Sequence, residues 1–242
     1  MEGYENLLYG VLKIRQPNEK EGLRVNMDTI LLAHFTRPRK QEKILEIGCA
    51  HGAISLILAK RGFKIEGVDI QDHLIEIAKE NAAYNKLDQE IKFYAADVRE
   101  YKKIWRAQTF DRVVVNPPYD EVGSANPSPS DERATAAHGL ECTLASIVEA
   151  SKYLLKNKGY LDLVIRAARV GELFALLGKN NLAPKVMRSV HPKPGKDAAV
   201  VLVEAMRAAS HGIKILSPLY VLDAAGRDTP ELLEAYRLNG EG

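Results

Sequence analysis

Residues 43–52 read Lys43-Ile44-Leu45-Glu46-Ile47-Gly48-Cys49-Ala50-His51-Gly52, an apolar run that enters a glycine-containing turn. The next apolar run, residues 64–69, ends in Asp69. Glycine lets a ligand approach the backbone closely, and the helix after such a turn offers unpaired N–H groups. An acidic residue at the end of the second strand can bind ribose hydroxyls in the crevice at the carboxyl ends of parallel strands. The stretch therefore predicts a cofactor site on a parallel sheet.

From residue 43 onward, short β-branched runs alternate with longer helical stretches. Strands are predicted at residues 43–48, 64–69, 91–96, 110–116, 160–166, 185–191 and 198–205, and helices at 52–61, 72–85, 140–156 and 168–180. The alternation predicts an α/β protein with βαβ units on a mostly parallel, seven-stranded sheet. A Pro-Gly turn at residues 192–195 separates the last two runs, so these should form an antiparallel hairpin at one edge.

The segments on either side of this core are too short to build cores of their own. Residues 1–40 carry a predicted hairpin, with strands at 7–14 and 22–25, and a helix near 29–36. Residues 207–242 carry a predicted strand or hairpin within 213–222 and a helix at 230–238. We therefore expect one core at 41–206 with both extensions packed on it. The composition of residues 120–130 predicts a mobile loop.

The composition excludes disordered, collagenous and disulfide-scaffold proteins. The 242 residues include 34 Lys and Arg and 32 Asp and Glu, and 46% are hydrophobic, which is typical of a soluble globular protein. The net charge of +2 neither indicates nor excludes a nucleic-acid partner. Without an apolar run of ~18 residues or a signal peptide, a cytoplasmic location is the expectation. Cys49 and Cys142 lack the spacing of metal ligands, so no metal is expected.

A third carboxylate, Asp97, follows the third predicted strand. A dinucleotide fingerprint would require Gly at positions 48, 50 and 53, but the chain has Ala50 and Ala53, which weakens an NAD interpretation. Taken singly, each carboxylate could be a helix cap or a solvated turn residue. Three acidic strand ends in succession, Glu46, Asp69 and Asp97, resemble the S-adenosylmethionine site of class I methyltransferases, which have a Rossmann-like fold.

That resemblance implies a role for each residue. Gly48 and Gly52 would make room for the methionine part of the cofactor, Asp69 would hold the ribose, and Asp97 would receive the exocyclic amine of the cofactor adenine. The full predicted cofactor set is Asp28, Thr29, Glu46, Gly48, Ala50, Gly52, Asp69, Ile70, Asp97, Val98 and Asn116. The family usually has Gly where this chain has Ala50, whose methyl group could crowd the cofactor. His51 is expected to face solvent.

The fourth strand ends in Asn116-Pro117-Pro118-Tyr119. Two prolines stop the ladder and direct the Asn116 amide and the Pro117 carbonyl into the crevice. The tetrapeptide resembles the N-P-P-Y motif of methyltransferases that act on a planar nitrogen, either adenine N6 or a glutamine amide. The resemblance makes Asn116, Pro117, Pro118 and Tyr119 the catalytic residues: two oxygens would accept the N–H bonds of the amine, and Tyr119 would stack on the base.

The segment Gly22-Leu23-Arg24-Val25-Asn26-Met27-Asp28-Thr29-Ile30-Leu31-Leu32-Ala33 resembles bacterial tRNA adenine-N6 methyltransferases, which modify adenosine 37 of a valine tRNA. The resemblance places Asp28 and Thr29 beside the cofactor or target base; alternatively, Asp28 is only the N-cap of a helix. Methylation of another RNA adenine or of a protein glutamine remains open, as does a non-catalytic RNA-binding protein. A monomer is expected.

A tRNA partner requires cations around the crevice, because phosphate contacts supply the affinity and its salt dependence. An anticodon-loop base is already largely unpaired, so extruding it costs less than extruding a base from a duplex. The candidate RNA-binding residues are Lys13, Arg15, Arg24, Arg37, Arg39, Lys40, Arg166, Arg169, Arg188, Lys193 and Lys196.

Overall fold

A computed structural model describes residues 3–18, 22, 24–117 and 142–238. The strands in these ranges are β1 Tyr4–Leu7, β2 Leu12–Arg15, β3 Lys43–Ile47, β4 Lys64–Asp69, β5 Ile91–Ala95, β6 Phe110–Val115, β7 Leu155–Arg166, β8 Leu182–His191, β9 Val200–Arg207, β10 Lys214–Ile215 and β11 Leu219–Tyr220. The α-helices are α1 Met27–Phe35, α2 Ala53–Lys60, α3 Asp72–Tyr84, α4 Tyr101–Ile104, α5 Leu144–Leu154, α6 Val170–Lys179 and α7 Pro230–Ala235.

The main sheet confirms the predicted α/β, Rossmann-like class. Its strand order is β10-β8-β9-β7-β6-β3-β4-β5, and β11 also pairs with β8. The five strands β3 to β7 are mutually parallel, whereas β9 lies antiparallel to both β7 and β8. All seven predicted strands are therefore present in the sheet, with the predicted antiparallel hairpin toward one edge. No helix in the described ranges is long and apolar enough to cross a membrane.

Both faces of the sheet are covered, as parallel strands require. Val114 of β6 belongs to one apolar cluster, while its neighbours Val113 and Val115 belong to the other. The first cluster also includes Leu12 of β2 and Leu232 of α7. Both extensions therefore contribute buried apolar side chains to the cluster on that face of the sheet.

The N-terminal segment forms a hairpin, but not from the predicted strands 7–14 and 22–25. The structure pairs β1 with β2 in antiparallel register, from Tyr4 opposite Arg15 to Leu7 opposite Leu12. The apolar run 7–14 thus folds back on itself, because Tyr9 and Gly10 adopt the left-handed conformation, with φ of 52° and 90°. Among residues 22–25, the described residues 22, 24 and 25 lie outside any strand.

Of the two C-terminal alternatives, a strand or a hairpin, the hairpin is wrong, since β10 and β11 do not pair with each other. Both run parallel to β8, with Lys214 opposite Val186 and Leu219 opposite Val190. They are two contacts of one extended segment, and Pro218 between them has no N–H to donate to a ladder.

The predicted helix 140–156 ends early, at Leu154, because residues 155–159 already belong to β7. Leu155 pairs with Phe110, and a register shift follows in β6 before Arg112 pairs with Tyr160. A Cβ on Gly159 would come within 2.9 Å of the Asp111 carbonyl oxygen, so this close approach of two backbones requires glycine.

A buried ion cluster marks the amino-terminal half of the sheet. The Arg112 guanidinium contacts the carboxylates of Glu42, Asp162 and Glu204, and also donates to the Arg37 carbonyl oxygen. Removing one member of such a cluster strands a buried charge, at a cost of about 3–5 kcal/mol. The cluster supports the sheet and lies toward the opposite end of the strands from the glycine turn.

Candidate active site

The strand order assembles the site at the carboxyl ends of three neighbouring strands. β3 lies between β4 and β6, with Ile47 opposite both Val68 and Val115. The Gly48 and Cys49 N–H groups both donate to the Val68 carbonyl oxygen, at 2.8 and 3.1 Å. The glycine turn after β3 therefore lies between the end of β4 and the start of the Asn-Pro segment after β6.

The two glycines of this turn serve different purposes. Gly48, Ala50 and Gly52 all have positive φ, at 70°, 46° and 85°. A Cβ on Gly48 would meet no atom of the described residues within 4 Å, so its backbone leaves the space that the predicted cofactor position requires. A Cβ on Gly52 would lie 2.9 Å from Phe93 Cζ, so that glycine is needed for packing against β5.

Asp69 is buried at the end of β4 and binds the turn directly. Its Oδ2 accepts the Ala50 N–H at 2.9 Å, and its Oδ1 accepts the Gln71 N–H at 3.0 Å. A carboxylate has about four lone-pair positions, so each oxygen retains capacity for a ribose hydroxyl. The neighbouring Ile70 is 43% exposed and supplies an apolar surface beside that carboxylate.

Glu46 is almost wholly buried beneath the turn. Its Oε2 accepts the backbone N–H of Ser55 at 2.8 Å and also the Ser55 hydroxyl. Burial raises the pKa of Glu46 to about 8, because the two bonds from Ser55 only partly offset desolvation and the Asp69 charge adds to it. At neutral pH, Glu46 is therefore predominantly a neutral acid.

Asp97 is held by its own neighbour in the chain. Its Oδ1 accepts the Arg99 N–H at 2.9 Å, and its carboxylate also forms an ion pair with the Arg99 guanidinium. Hydrogen bonding to Arg99 lowers the pKa of Asp97 despite some opposing desolvation. An adenine amine at Asp97 would thus have to share this carboxylate with Arg99. Val98, which follows, is buried.

The end of β6 meets the first turn of α1. Asn116 Nδ2 donates to Thr29 Oγ1 at 3.3 Å, which brings the predicted Thr29 and Asn116 together. The proposed N-cap role of Asp28 is wrong, because Asn26 Oδ1 accepts the Thr29 N–H at 3.0 Å and caps α1. Asp28 lies in the first turn of α1, where its negative charge interacts favourably with the helix dipole.

His51 is buried rather than facing solvent, so that expectation is wrong. Only 3% of His51 is exposed, and neither ring nitrogen has a hydrogen-bond partner within the described part of the chain. Asn81 Nδ2 donates to the backbone carbonyl oxygens of both His51 and Arg15, which ties the turn to β2. Burial, reinforced by the Arg24 charge, lowers the pKa of His51 to about 4.

Sequence reasoning did not identify Asn26, Ser55 or Arg99, each of which orients a predicted site residue. Asn26 stands three residues before Thr29, a cap spacing that signals such a bond. Ser55 has no comparable signal, because its contact with Glu46 depends on how α2 follows the turn. Predicted residues Pro118 and Tyr119, and the predicted loop 120–130, lie outside the described residues.

The chain also matches a known family. A family model described as a methyltransferase domain matches residues 38–190, more than half of the chain. The chain belongs to this methyltransferase family. Its methyl donor is S-adenosylmethionine, which agrees with the open backbone at Gly48 and the carboxylates Asp69 and Asp97 at neighbouring strand ends.

Curated relatives match most of the chain at low identity. The chain is 26% identical over 195 residues to a tRNA1(Val) (adenine(37)-N6)-methyltransferase of Yersinia enterocolitica, with coverage of 79% of this chain and 76% of the relative. The enzyme of the same name from Aeromonas hydrophila is 26% identical over 193 residues, with 78% and 79% covered.

Among solved structures, a crystal structure of a predicted O-methyltransferase from Agrobacterium tumefaciens is similar in fold. Its TM-score is 0.69 at 20% identity, with 87% of this chain and 97% of that chain covered. A geranyl diphosphate C-methyltransferase from Streptomyces coelicolor, solved with S-adenosyl-L-homocysteine, has a TM-score of 0.54 at 12% identity, with 73% and 75% covered. These two likenesses establish the fold alone.

Proposed function

We propose that this methyltransferase transfers a methyl group to N6 of an adenine in a tRNA anticodon loop, with adenosine 37 of a valine tRNA as the first candidate. The observation that carries the proposal is the end of β6, where Asn116 and Pro117 lie beside the glycine turn and the Asn116 amide is bound by Thr29. The curated relatives bearing that activity in their names support the choice of RNA. The proposal also places the enzyme in the cytoplasm with its substrate.

The residue types suit a weak nitrogen nucleophile. The lone pair of an adenine N6 amine is delocalised into the ring, so the enzyme must orient the amine rather than deprotonate it beforehand. Asn116 Oδ1 and the Pro117 carbonyl oxygen are two acceptors for its N–H bonds, and they stabilise positive charge that develops on nitrogen. When bound, S-adenosylmethionine supplies an electrophilic methyl group on a sulfonium. Tyr119 is proposed to stack on the extruded base.

Strand register narrows the candidate RNA-binding surface. Val200 of β9 lies opposite both Arg166 at the end of β7 and Val190 in β8. The turn between β8 and β9 is therefore at the carboxyl ends of the parallel strands, as is Asn116. Lys193 and Lys196 are exposed in that turn. We propose that these two lysines, with Arg166, contact phosphate near the target base.

Other predicted RNA contacts are less suited to that role. Arg37, Arg39 and Lys40 precede β3 and therefore lie toward the amino ends of the parallel strands, where Arg39 donates to the Tyr160 hydroxyl. Four more cations are already in ion pairs with carboxylates of this chain: Arg15 with Glu80, Arg24 with Glu5, Arg169 with Glu172 and Arg188 with Glu231. Such exposed pairs are weak, but they reduce the charge offered to phosphate.

The test is transfer of labelled methyl groups to total cellular RNA and, separately, to total protein, followed by nucleoside and peptide mass spectrometry. We expect label in N6-methyladenosine. Label confined to methylglutamine would overturn the RNA substrate. Retained RNA affinity, with no heat on adding S-adenosylmethionine and no labelled product, would show a binding protein instead of an enzyme.

Asn116→Ala tests the assigned chemistry within that assay. We expect turnover to fall by at least ~100-fold while cofactor affinity changes little, because the amide acts on the target amine. Asn157→Ala, at an exposed asparagine in β7, is the matched control and should keep wild-type turnover. Equal losses of turnover and cofactor affinity in Asn116→Ala would contradict the role.

A further inference from the structure

Asn26, Thr29 and Asn116 are joined by a continuous series of hydrogen bonds. Asn26 Oδ1 accepts the backbone N–H of Thr29 at 3.0 Å and also accepts the Thr29 hydroxyl at 3.0 Å. Thr29 Oγ1 in turn accepts from Asn116 Nδ2 at 3.3 Å. The series therefore runs from the helix cap of α1 to the end of β6.

The direction of every bond in this series follows from one backbone group. A peptide N–H can only donate, so the Asn26 atom facing it must be the amide oxygen. That oxygen can only accept, so the Thr29 hydroxyl must use its single proton there. Thr29 Oγ1 is left with lone pairs toward Asn116, which must present its NH2 group rather than its oxygen.

We propose that Thr29 is a positioning residue that holds the Asn116 amide in one orientation, with Nδ2 donating to the Thr29 hydroxyl, so that Oδ1 is the atom that accepts from the target amine. The inference rests on the proposed function, in which Asn116 Oδ1 accepts an N–H bond of the nitrogen to be methylated. A flipped amide would present N–H donors to the N–H bonds of that amine and lose the acceptor. Thr29 thereby excludes the unproductive orientation before substrate arrives.

The support for Thr29 is rigid. Thr29 is 9% exposed, and the residues that follow it in α1, Ile30 to Ala33, are buried in the core. Asn26 caps the same helix, so the hydroxyl of Thr29 is fixed both by the backbone and by the cap. Because changing Asn26 would also weaken the helix, Thr29 is the better position for a test.

The experiment compares Thr29→Val, which removes the acceptor at similar size, with Thr29→Ser, which keeps it. Using labelled S-adenosylmethionine and total RNA, we expect kcat of Thr29→Val to fall about 10- to 100-fold, with KM for RNA and Kd for the cofactor within about threefold of wild type. Thr29→Ser should restore kcat to within about threefold. Thr36→Val, which removes a buried hydroxyl at the other end of α1, should leave kcat unchanged.

Thermal melting shows how much of each variant is folded. Rates are then compared per mole of folded enzyme, so that a loss of stability is not counted as a loss of kcat. Wild-type kcat in folded Thr29→Val would overturn the positioning role. A loss of cofactor affinity as large as the loss of kcat would also overturn it, because Thr29 would then be a cofactor ligand. If wild-type enzyme labels a glutamine amide instead of adenine, the proposed function fails, while the kcat ratio of Val to Ser on that planar amide still decides the positioning role.

Discussion

The Ala50 N–H donates to Asp69 Oδ2 at 2.9 Å, which joins the glycine turn after β3 to the acidic end of β4. Ala50 makes this bond from a left-handed conformation with φ of 46°, where an L side chain is strained by about 1–2 kcal/mol. The turn geometry is thus maintained against a backbone preference, and the strain lies directly beside the predicted cofactor position.

Ala50→Gly should therefore stabilise the protein. Relief of strain exceeds the extra entropy of an unfolded glycine, so we expect a net gain of about 0.5–1 kcal/mol in the free energy of unfolding, measured by chemical denaturation. Cofactor affinity by calorimetry should also rise if the Ala50 methyl group crowds the site. Lys86→Gly, at a φ of 58° beyond α3, is the control and should raise stability alone. A destabilised Ala50→Gly would contradict the strain argument.

His51 should make stability fall in weak acid. Its folded pKa is lowered from 6.5 to about 4, so the unfolded state binds more protons between these values and stability is lost as pH falls from about 6.5 toward 4. The full effect is about 3 kcal/mol. His51→Gln should flatten the pH dependence of the unfolding free energy relative to wild type, whereas His211→Gln, at an exposed position, should not. Equal pH slopes in wild type and His51→Gln would refute this.

Cofactor binding should release a proton from Glu46. Its pKa of about 8 keeps it neutral at pH 7, and a cation bound in the turn favours the carboxylate and lowers that pKa. Calorimetric titrations at pH 7 in two buffers of different ionisation enthalpy should then give different heats, and affinity should increase from pH 6 to 8. Glu46→Gln, which keeps an acceptor for Ser55, should abolish the buffer dependence. Glu76→Gln, at an exposed position of α3, should retain the buffer dependence. Buffer-independent heats in wild type would contradict proton release from Glu46.

RNA affinity should depend on positive charge at the carboxyl ends of the parallel strands and not at their amino ends. Lys193→Glu combined with Lys196→Glu should weaken tRNA binding by at least ~10-fold and reduce the salt slope by about 1.5, because two phosphate contacts near the site are lost. Arg37→Glu combined with Lys40→Glu changes the net charge by the same amount at the amino ends of the strands and should have little effect on tRNA binding. Filter binding at several salt concentrations measures both. Equal losses in the two double variants would indicate non-specific attraction instead of a local surface.

Sequence patterns predicted the order of the strands of the core, and they named most of the residues that lie together in the candidate site. Alternating β-branched and helical runs predicted the seven strands, because burial on both faces of a parallel sheet leaves a local apolar pattern. The acidic strand ends and the Asn116-Pro117 segment were visible for a related reason: in a parallel sheet, chemistry at the carboxyl edge always occupies the residues just after each strand.

The hairpins failed where local pattern competes with the rest of the fold. Residues 7–14 form a single apolar run, yet the turn at Tyr9 and Gly10 divides it into β1 and β2. Residues 213–222 contain two short strands, but β8 offers each a better partner than they offer each other. Pairing partners are chosen by long-range contacts, which a local window of sequence does not contain.

The sequence by itself determined the fold class, and it predicted the methyl-donor turn and the residues that we propose to act on a planar nitrogen. Only the tertiary structure decided their states: that Glu46 is buried with Ser55, that His51 is buried, and that Asn116 faces Thr29. The reason is physical. Local propensity and periodicity act between near neighbours along the chain, whereas protonation, burial and amide orientation are set by atoms that folding brings from up to 87 residues away.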